Sequence, residues 1–273
     1  MGKHLVKELR KRGTRKIFVP IRGKFDLRNE KRAIQATKNA QIAFHLAGIV
    51  GGIGFNMENP ATLFHDNLKM GLNIIEACRF NLVSKLVLVG TICSYPKFTP
   101  VPFKEVDLWA GYPEETNAPY GIAKKTLLVH AEVNHRQYSQ NVICPLPVNL
   151  YGPGDHFEPE RSHVIPALIR KFVEAKLGGD KEVTVWGTGL ATREFLYVED
   201  AASALVDAAE FVNTPDPFNL GSGFEISIKD LAEKIKELVG FEGEIVWDMT
   251  KPDGQPRRTL DTSKAKQLFG FEA

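Results

Sequence analysis

The feature that most constrains this chain is a repeated order of short apolar runs and longer stretches of helical spacing. QIAFHLAG (41–48), KLVLVG (85–90) and NVICPLP (141–147) are short runs, and LVLV within the second is continuously apolar rather than alternating. A strand that is apolar on both faces has to be covered on both faces. From Asn59 to Asn81, Leu63, Leu68, Leu72, Ile75 and Cys78 fall where one broad helical face needs them, Pro60 suits the first turn and Asn59 is placed to cap it. A second helix is expected after Tyr120. Strands separated by helices of ten or more residues form a parallel sheet rather than hairpins. The expected fold class is α/β, a doubly wound parallel sheet.

The flanks extend this pattern. Leu5, Val6 and Leu9 among lysines and arginines, with Gly13 behind, read as an amphipathic helix closed by a glycine. KIFVP (16–20) suits a buried strand, followed by a polar loop and a helical stretch near 30–38. Beyond a helix at about 163–176 the rhythm loosens into short strands at VTVW (183–186), EFLYV (194–198), PFNLG (217–221) and EIVWD (244–248), with helices near 199–211 and 228–239. The expectation is a larger sheet domain over 1–160 and a smaller mixed α/β substrate domain mainly over 161–273, one strand or helix of which returns to the larger domain. In such folds the ligand crevice lies at the carboxyl ends of the strands.

Composition narrows the function classes. With 43% apolar and 25% charged residues among 273, the chain is neither disordered nor fibrous. No apolar run approaches the length that spans a bilayer, and MGKHLVKELRKRG lacks the apolar centre of a signal peptide, so no membrane partner and a cytoplasmic location are expected. Cys78, Cys93 and Cys144 have no CxxC spacing, which suggests free thiols and no metal site. Residues 1–40 carry thirteen Lys and Arg against three Asp and Glu. Without interleaved aromatics this reads as a solvated helix face with a local anion site, and no nucleic-acid partner is expected.

Tyr120 and Lys124 in PYGIAK stand four apart, so on a helix they share a face. An ammonium beside a phenol lowers the phenol's pKa, and a Tyr so tuned can exchange a proton with a carbonyl or alcohol while hydride moves to or from a nicotinamide. VLVGTICSYP (87–96) supplies a strand end with Thr91 and Cys93 just beyond it. Thr91 can bond the same carbonyl oxygen or merely cap the next turn. Cys93 can transfer a proton if its thiolate is stabilised, or be an inert buried thiol.

These residues resemble the extended short-chain dehydrogenase/reductases, and within the NAD-dependent epimerase/dehydratases the GDP-L-fucose synthase family. HLAGIVGGIGFNMENPATLFHDN (45–67), TICSYPK (91–97), NLYGPGDHFEPERSHVIPALIRKF (149–172), VWGTGLATREFLYVEDAA (185–202) and KPDGQPRR (251–258) carry the likeness nearly end to end. The resemblance implies a Rossmann-like fold and an enzyme that epimerises GDP-4-keto-6-deoxy-D-mannose at carbons 3 and 5 and reduces its 4-keto group with NADPH. It makes Tyr120 the proton donor, Lys124 its partner and a ribose contact, and Thr91 the hydroxyl partner. Cys93 and His163 become the epimerisation pair, thiol and imidazole being the side chains that titrate nearest neutrality. Lys171, Trp186, Arg193 and Asp253 fall at GDP-sugar positions, with Lys171 standing where the family tends to have Arg. For NADP(H) the implied contacts are Gly2, Arg22, Asp26, Leu27, Leu46, Ala47, Gly48, Asn67, Val89, Gly90, Lys124, Pro147, Val148, Asn149, Leu150 and His163. Arg22 stands where an acidic residue holds the ribose of NAD, and a cation there favours a 2′-phosphate. Family members commonly form homodimers through the two long helices, here about 59–80 and 119–139.

One departure bears on the cofactor. The family opens with a strand and a GxxGxxG turn, whereas here Gly2 matches only the third glycine and the first strand has no counterpart. The expectation is a fragment or a chain begun at an internal Met, with the pyrophosphate site weakened. Two further readings keep this fold: another nucleotide-sugar epimerase or reductase, or a non-catalytic nucleotide-sugar-binding homologue.

Overall fold

The computed structural model describes residues 1–159, 162–251 and 253–273; Glu160, Arg161, Pro252 and the Ile53 side chain, all within segments quoted above, lie outside the described residues. The chain runs α1 (Gly2–Lys11), α2 (Glu30–Thr37), β1 (Ile42–His45), α3 (Ile53–Glu58), α4 (Pro60–Phe80), β2 (Lys85–Leu88), a 3₁₀ turn (Ile92–Ser94), α5 (Ala118–Tyr138), β3 (Val142–Ile143), β4 (Pro145–Pro147) and β5 (Asn149–Tyr151). It continues through α6 (Val164–Gly178), β6 (Glu182–Trp186), β7 (Thr192–Tyr197), α7 (Val198–Phe211), β8 (Phe218–Leu220), β9 (Glu225–Ser227), α8 (Ile228–Val239), β10 (Glu244–Asp248) and α9 (Ser263–Phe269).

The strands pair in parallel almost throughout, as the long helical connections require. β1 and β2 run in register from Ile42 opposite Lys85 to His45 opposite Leu88, and β2 continues onto β3. β4 pairs with β8, β5 with β7 and β6 with β10, all parallel; β7 and β9 are antiparallel. Every residue of β2 is buried, so helices cover both of its faces. α4 and α5 pack on each other, as do α1 and α7, and α7 also touches β2. The larger core runs from Leu5 through Leu86, Leu88, Leu127 and Ile143 to Ala204, Phe218 and Leu260, so α7 and β8 belong to it. A second core lies among α6, α8, β6 and β10 around Phe172, Val183, Val185 and Phe241.

Local rules explain most element ends. α1 stops where Gly13 takes a positive φ of 81°, and Arg12 ties the helix to α7 through Ser203 (2.8 Å) and an ion pair with Asp207. Lys85, buried at the start of β2, donates to the carbonyls of Ala209 and Val212 at 2.8 Å each, satisfying the carboxyl end of α7.

Two expectations fail. KIFVP is not a strand: residues 16–20 are irregular, and Phe18 and Val19 are each more than half exposed. A strand needs a neighbour for its backbone groups, and β1 is paired only with β2 among the described residues. Asn59 does not cap α4 with its side chain. Its amide donates instead to the Phe55 carbonyl at 3.0 Å, because α3, which periodicity did not foresee, ends immediately before it.

Candidate active site

β2 is followed by Val89, Gly90 and then Thr91, whose hydroxyl accepts the Cys93 amide at 3.2 Å and so caps the 3₁₀ turn. The turn lies against α5. The Ser94 hydroxyl donates to the Gly121 carbonyl at 3.1 Å, and Gly121 has no side chain because a Cβ there would stand 2.2 Å from the Cys93 carbonyl oxygen. This contact sets Tyr120, the residue before Gly121, against Thr91 and Cys93. Thr91 therefore caps the turn, and its hydroxyl lies beside the Tyr120 phenol, whose pKa it draws down. Cys93 keeps part of its surface open, whereas Cys78 and Cys144 are buried free thiols whose pKa burial pushes up to about 12.

The expected electrostatics of the Tyr and Lys pair are not what forms. Burial drives the Tyr120 phenol above its ordinary pKa, the neighbouring Cys93 adds to this, and Thr91 only partly opposes it. Lys124 turns its ammonium to the Val89 carbonyl at 2.9 Å, and burial pushes its pKa down to about 8. Desolvation outweighs the four-residue spacing in both groups. At neutral pH Tyr120 is thus a protonated phenol.

His163 precedes α6 at its N-cap with its backbone extended. Its side chain reaches solvent, yet enough protein surrounds it to lower the imidazole pKa by desolvation, with Asp155 acting in the opposite direction. The Gly51–Asn56 segment joins this end of α6 to α5. The Gly51 amide donates to the Asn56 side chain (3.3 Å), Asn56 donates to Asn117 (2.9 Å) three residues before Tyr120, and a Cβ on Gly52 would stand 3.2 Å from the Ser162 carbonyl.

The positions assigned to the cofactor fall at strand ends and on the loops after them. Leu46, Ala47 and Gly48 follow β1. Asn67 in α4 grips the backbone just beyond them: its carbonyl accepts the Ile49 amide (2.8 Å) and its amide donates to Ile49 and Leu63 carbonyls (2.8 and 2.7 Å). Val89 and Gly90 follow β2, and Pro147 to Leu150 run from β4 into β5, with the Val148 amide on the Leu220 carbonyl (2.9 Å). Leu27 is buried with its carbonyl bonded to Asn73 (2.8 Å), and Asp26 is held below the usual carboxylate pKa by Arg28, which also bonds Asp66. Arg22 is exposed nearby, its charge acting on Asp26. Gly2 opens α1, whose His4 bonds the Pro153 carbonyl (2.7 Å) in the loop that leads to His163.

The four GDP-sugar positions do converge. Arg193 on β7 donates to the Gln255 carbonyl (2.6 Å) and the Asp253 carbonyl (2.9 Å), while the Asp253 carboxylate accepts the Thr188 amide and hydroxyl at 2.7 Å each. Trp186, 58% exposed, has the ammonium groups of Lys171 (5.9 Å from its ring centre) and Lys251 (5.4 Å) near its ring. Lys171 is tethered to the Thr184 carbonyl at 2.7 Å. Burial, with Arg258 nearby, pushes Arg193 down to about 10. Arg258, which ends the KPDGQPRR segment and was not singled out from sequence, lies with its Nη1 3.9 Å from Cys93 Sγ. Among the described residues no group of side chains is arranged to hold a metal, and no helix is long and apolar enough to cross a membrane.

Comparison with known proteins agrees with this geometry. Residues 1–221 match the NAD dependent epimerase/dehydratase family. A probable GDP-L-fucose synthase 1 from Oryza sativa subsp. japonica is 40% identical over 98% of this chain and 83% of its own length. Among solved structures, a GDP-6-OMe-4-keto-L-xylo-heptose reductase from C. jejuni superposes with a TM-score of 0.94 at 29% identity, over 99% of this chain and 89% of that one. A GDP-L-fucose synthetase from Naegleria fowleri bound to NADP gives 0.89 at 28%, over 98% and 84%. With a hydroxyl, phenol and ammonium at the end of a central parallel strand and this likeness along its length, the chain belongs to the NAD-dependent epimerase/dehydratase family, among the GDP-L-fucose synthases.

Proposed function

We propose that this chain is a 3,5-epimerase/4-reductase that converts GDP-4-keto-6-deoxy-D-mannose to GDP-L-fucose with NADPH. The observation that carries the reading is the placement of Thr91, Tyr120 and Lys124 at the end of β2 with the Cys93 thiol in the same turn.

NADP(H), when bound, supplies the hydride that reduces the 4-keto carbon. The residues present fit its nicotinamide and ribose side. Among the described residues Lys124 has one protein acceptor, Val89, which leaves N–H groups for ribose hydroxyls, and the neighbouring His45 has a buried Nε2 without a partner. We assign Leu46 to Gly48, Asn67, Val89, Gly90 and Pro147 to Leu150 to the same ligand, with Gly2, Asp26 and Leu27 toward its adenosine side and Arg22 for the 2′-phosphate.

Tyr120 gives its phenolic proton to the 4-keto oxygen. Its raised pKa keeps that proton in place at neutral pH, and Thr91 orients the hydroxyl. Cys93 and His163 remove a proton beside the carbonyl and return one to the opposite face, at carbon 3 and at carbon 5. Arg193, Lys171 and Asp253 hold the GDP-sugar, with Trp186 offering an aromatic plane near two cations. Incubation with the GDP-keto sugar and NADPH in D₂O is expected to consume NADPH and place deuterium at carbons 3 and 5; neither happening would sink the proposal. Similarity to the heptose reductase favours a second reading, a GDP-sugar 4-reductase without epimerisation, marked by NADPH consumption with no deuterium at those carbons.

The same reading makes the chain a cytoplasmic homodimer that pairs through α4 and α5, on which Phe64 and Val129 stay exposed. Light scattering that returns a monomer at micromolar concentration would refute the dimer.

A further inference from the structure

Arg258 is buried and Arg193 half-buried, and the two stand close enough that the charge of Arg258 helps to lower the Arg193 pKa. One residue brackets both. Gln255 takes the Arg193 Nη1 on its carbonyl at 2.6 Å and the Arg258 Nε on its side-chain oxygen at 3.2 Å, while its own amide donates to the Lys97 carbonyl at 2.7 Å. Behind Arg258 the backbone is pinned: the Phe103 amide donates to the Thr259 carbonyl (2.8 Å), and the buried Glu194 accepts the Leu260 amide (2.7 Å).

Among the described residues no carboxylate forms an ion pair with either guanidinium. Glu114 and Asp253 lie near enough to act on Arg193, but the first spends its oxygens on Thr116 (2.6 Å) and Asn117 (2.9 Å) and the second on Thr188 (2.7 Å). Two like charges withdrawn from water without a counter-ion are costly unless an anion meets them. Arg258 is the one with donors to spare. Its Nη1 reaches only Cys93 Sγ, at 3.9 Å, and its Nη2 has no partner among the described residues. Arg193 gives three N–H groups to the carbonyls of Thr192, Gln255 and Asp253.

We infer that Arg258 is a binding residue for the phosphate that carries the sugar, the β-phosphate of the GDP-sugar. The inference rests on the function proposed above for the identity of that ligand. In that reading Cys93 meets the sugar beside its keto carbon, so a guanidinium that touches Cys93 lies at the sugar end of the nucleotide. Guanine, ribose and the keto sugar are neutral. The diphosphate is the one part that can balance a buried cation, and its β-phosphate is the half next to the sugar. The planar fork of a guanidinium matches two phosphate oxygens, and Gln255 holds that fork in place from the Nε side. Through the β-phosphate Arg258 fixes the sugar against Thr91, Tyr120 and Cys93.

Calorimetric titration of GDP and of GMP into the cofactor-free protein tests this. Arg258→Met is expected to weaken GDP about 10–100-fold and GMP, which lacks the β-phosphate, less than about threefold. Without ligand the variant should melt no lower than the parent, since it removes an unpaired buried cation, and GDP should raise its Tm less. Where Arg258→Met fails to fold, Arg258→Gln is read the same way. Unchanged GDP affinity overturns the inference, and with a raised KM for the GDP-keto sugar it assigns Arg258 to the sugar instead. Equal weakening of GDP and GMP also overturns it. Titration needs no turnover, so Arg258-dependent GDP affinity in a protein inactive on the GDP-keto sugar sinks the function and leaves this inference standing; a parent that binds neither nucleotide overturns both.

Discussion

Lys124 points its ammonium at the carbonyl oxygen of Val89, 2.9 Å away, rather than pairing with a carboxylate, although it is almost fully buried. Burying that cation costs stability. Its pKa falls to about 8 in the fold against 10.5 for the free side chain. Below about pH 8 the group is charged in both folded and unfolded chains and the full burial cost is present; between about 8 and 10.5 the folded chain sheds the proton first, and stability contributed at this position rises with pH. Lys124→Met is therefore expected to stabilise the protein at pH 7 by up to about 3 kcal/mol while abolishing reduction. Urea melts of both proteins at pH 7 and pH 10 check this: the gain should shrink at the higher pH, and a gain that does not change with pH contradicts the assignment.

Tyr120 and Cys93 sit in one cluster but serve different half-reactions in the proposed function, so their variants should separate. Tyr120→Phe is expected to lower NADPH oxidation by about 10²–10⁴-fold while deuterium still enters the keto sugar from solvent. Cys93→Ser should do the reverse to exchange, because a hydroxyl titrates far above a thiol. Loss of both activities in both variants would show that the cluster acts as one unit.

Asn67 spends its whole side-chain amide on the backbone of Ile49 and Leu63. Asn67→Ala leaves the part-buried amide and carbonyl of Ile49 without these partners, while the Leu63 carbonyl keeps its helical one, an expected loss on the order of 1–3 kcal/mol. Because the freed loop begins at Leu46, binding of NADPH, read by its fluorescence, should weaken at temperatures where the variant is still folded. Undiminished binding would remove this loop from the cofactor site.

What sequence could show here was whatever depends on nearby residues. LVLV announced a strand covered on both faces, Gly13 announced the end of α1, and the spacing of Tyr120 and Lys124 put them on one helix. What it could not show depends on partners distant in the chain. KIFVP has the composition of a strand, but nothing pairs with it among the described residues. The four-residue spacing promised a lowered phenol pKa, and burial, which only the packed fold creates, reversed it. Arg258 lies 165 positions from Cys93, and no local pattern brings a guanidinium to a thiol across that distance.

Gly121 gives the sharpest structural test, because its role is steric and local. Glycine in a helix interior normally weakens it, and Gly→Ala there usually adds about 1 kcal/mol of stability. Here a Cβ would stand 2.2 Å from the Cys93 carbonyl oxygen, a backbone atom that cannot rotate aside. The turn from Ile92 to Ser94 would have to move away from α5, which breaks the Ser94 bond to the Gly121 carbonyl and draws Thr91 off the Tyr120 phenol. Gly121→Ala is therefore expected to destabilise the protein by about 1–3 kcal/mol, as overpacking does, and to lower the rate of reduction more than it raises the KM for the GDP-sugar. Thermal melts with steady-state kinetics decide it: a variant as stable and active as the parent would mean that the turn and α5 are not held together by this contact.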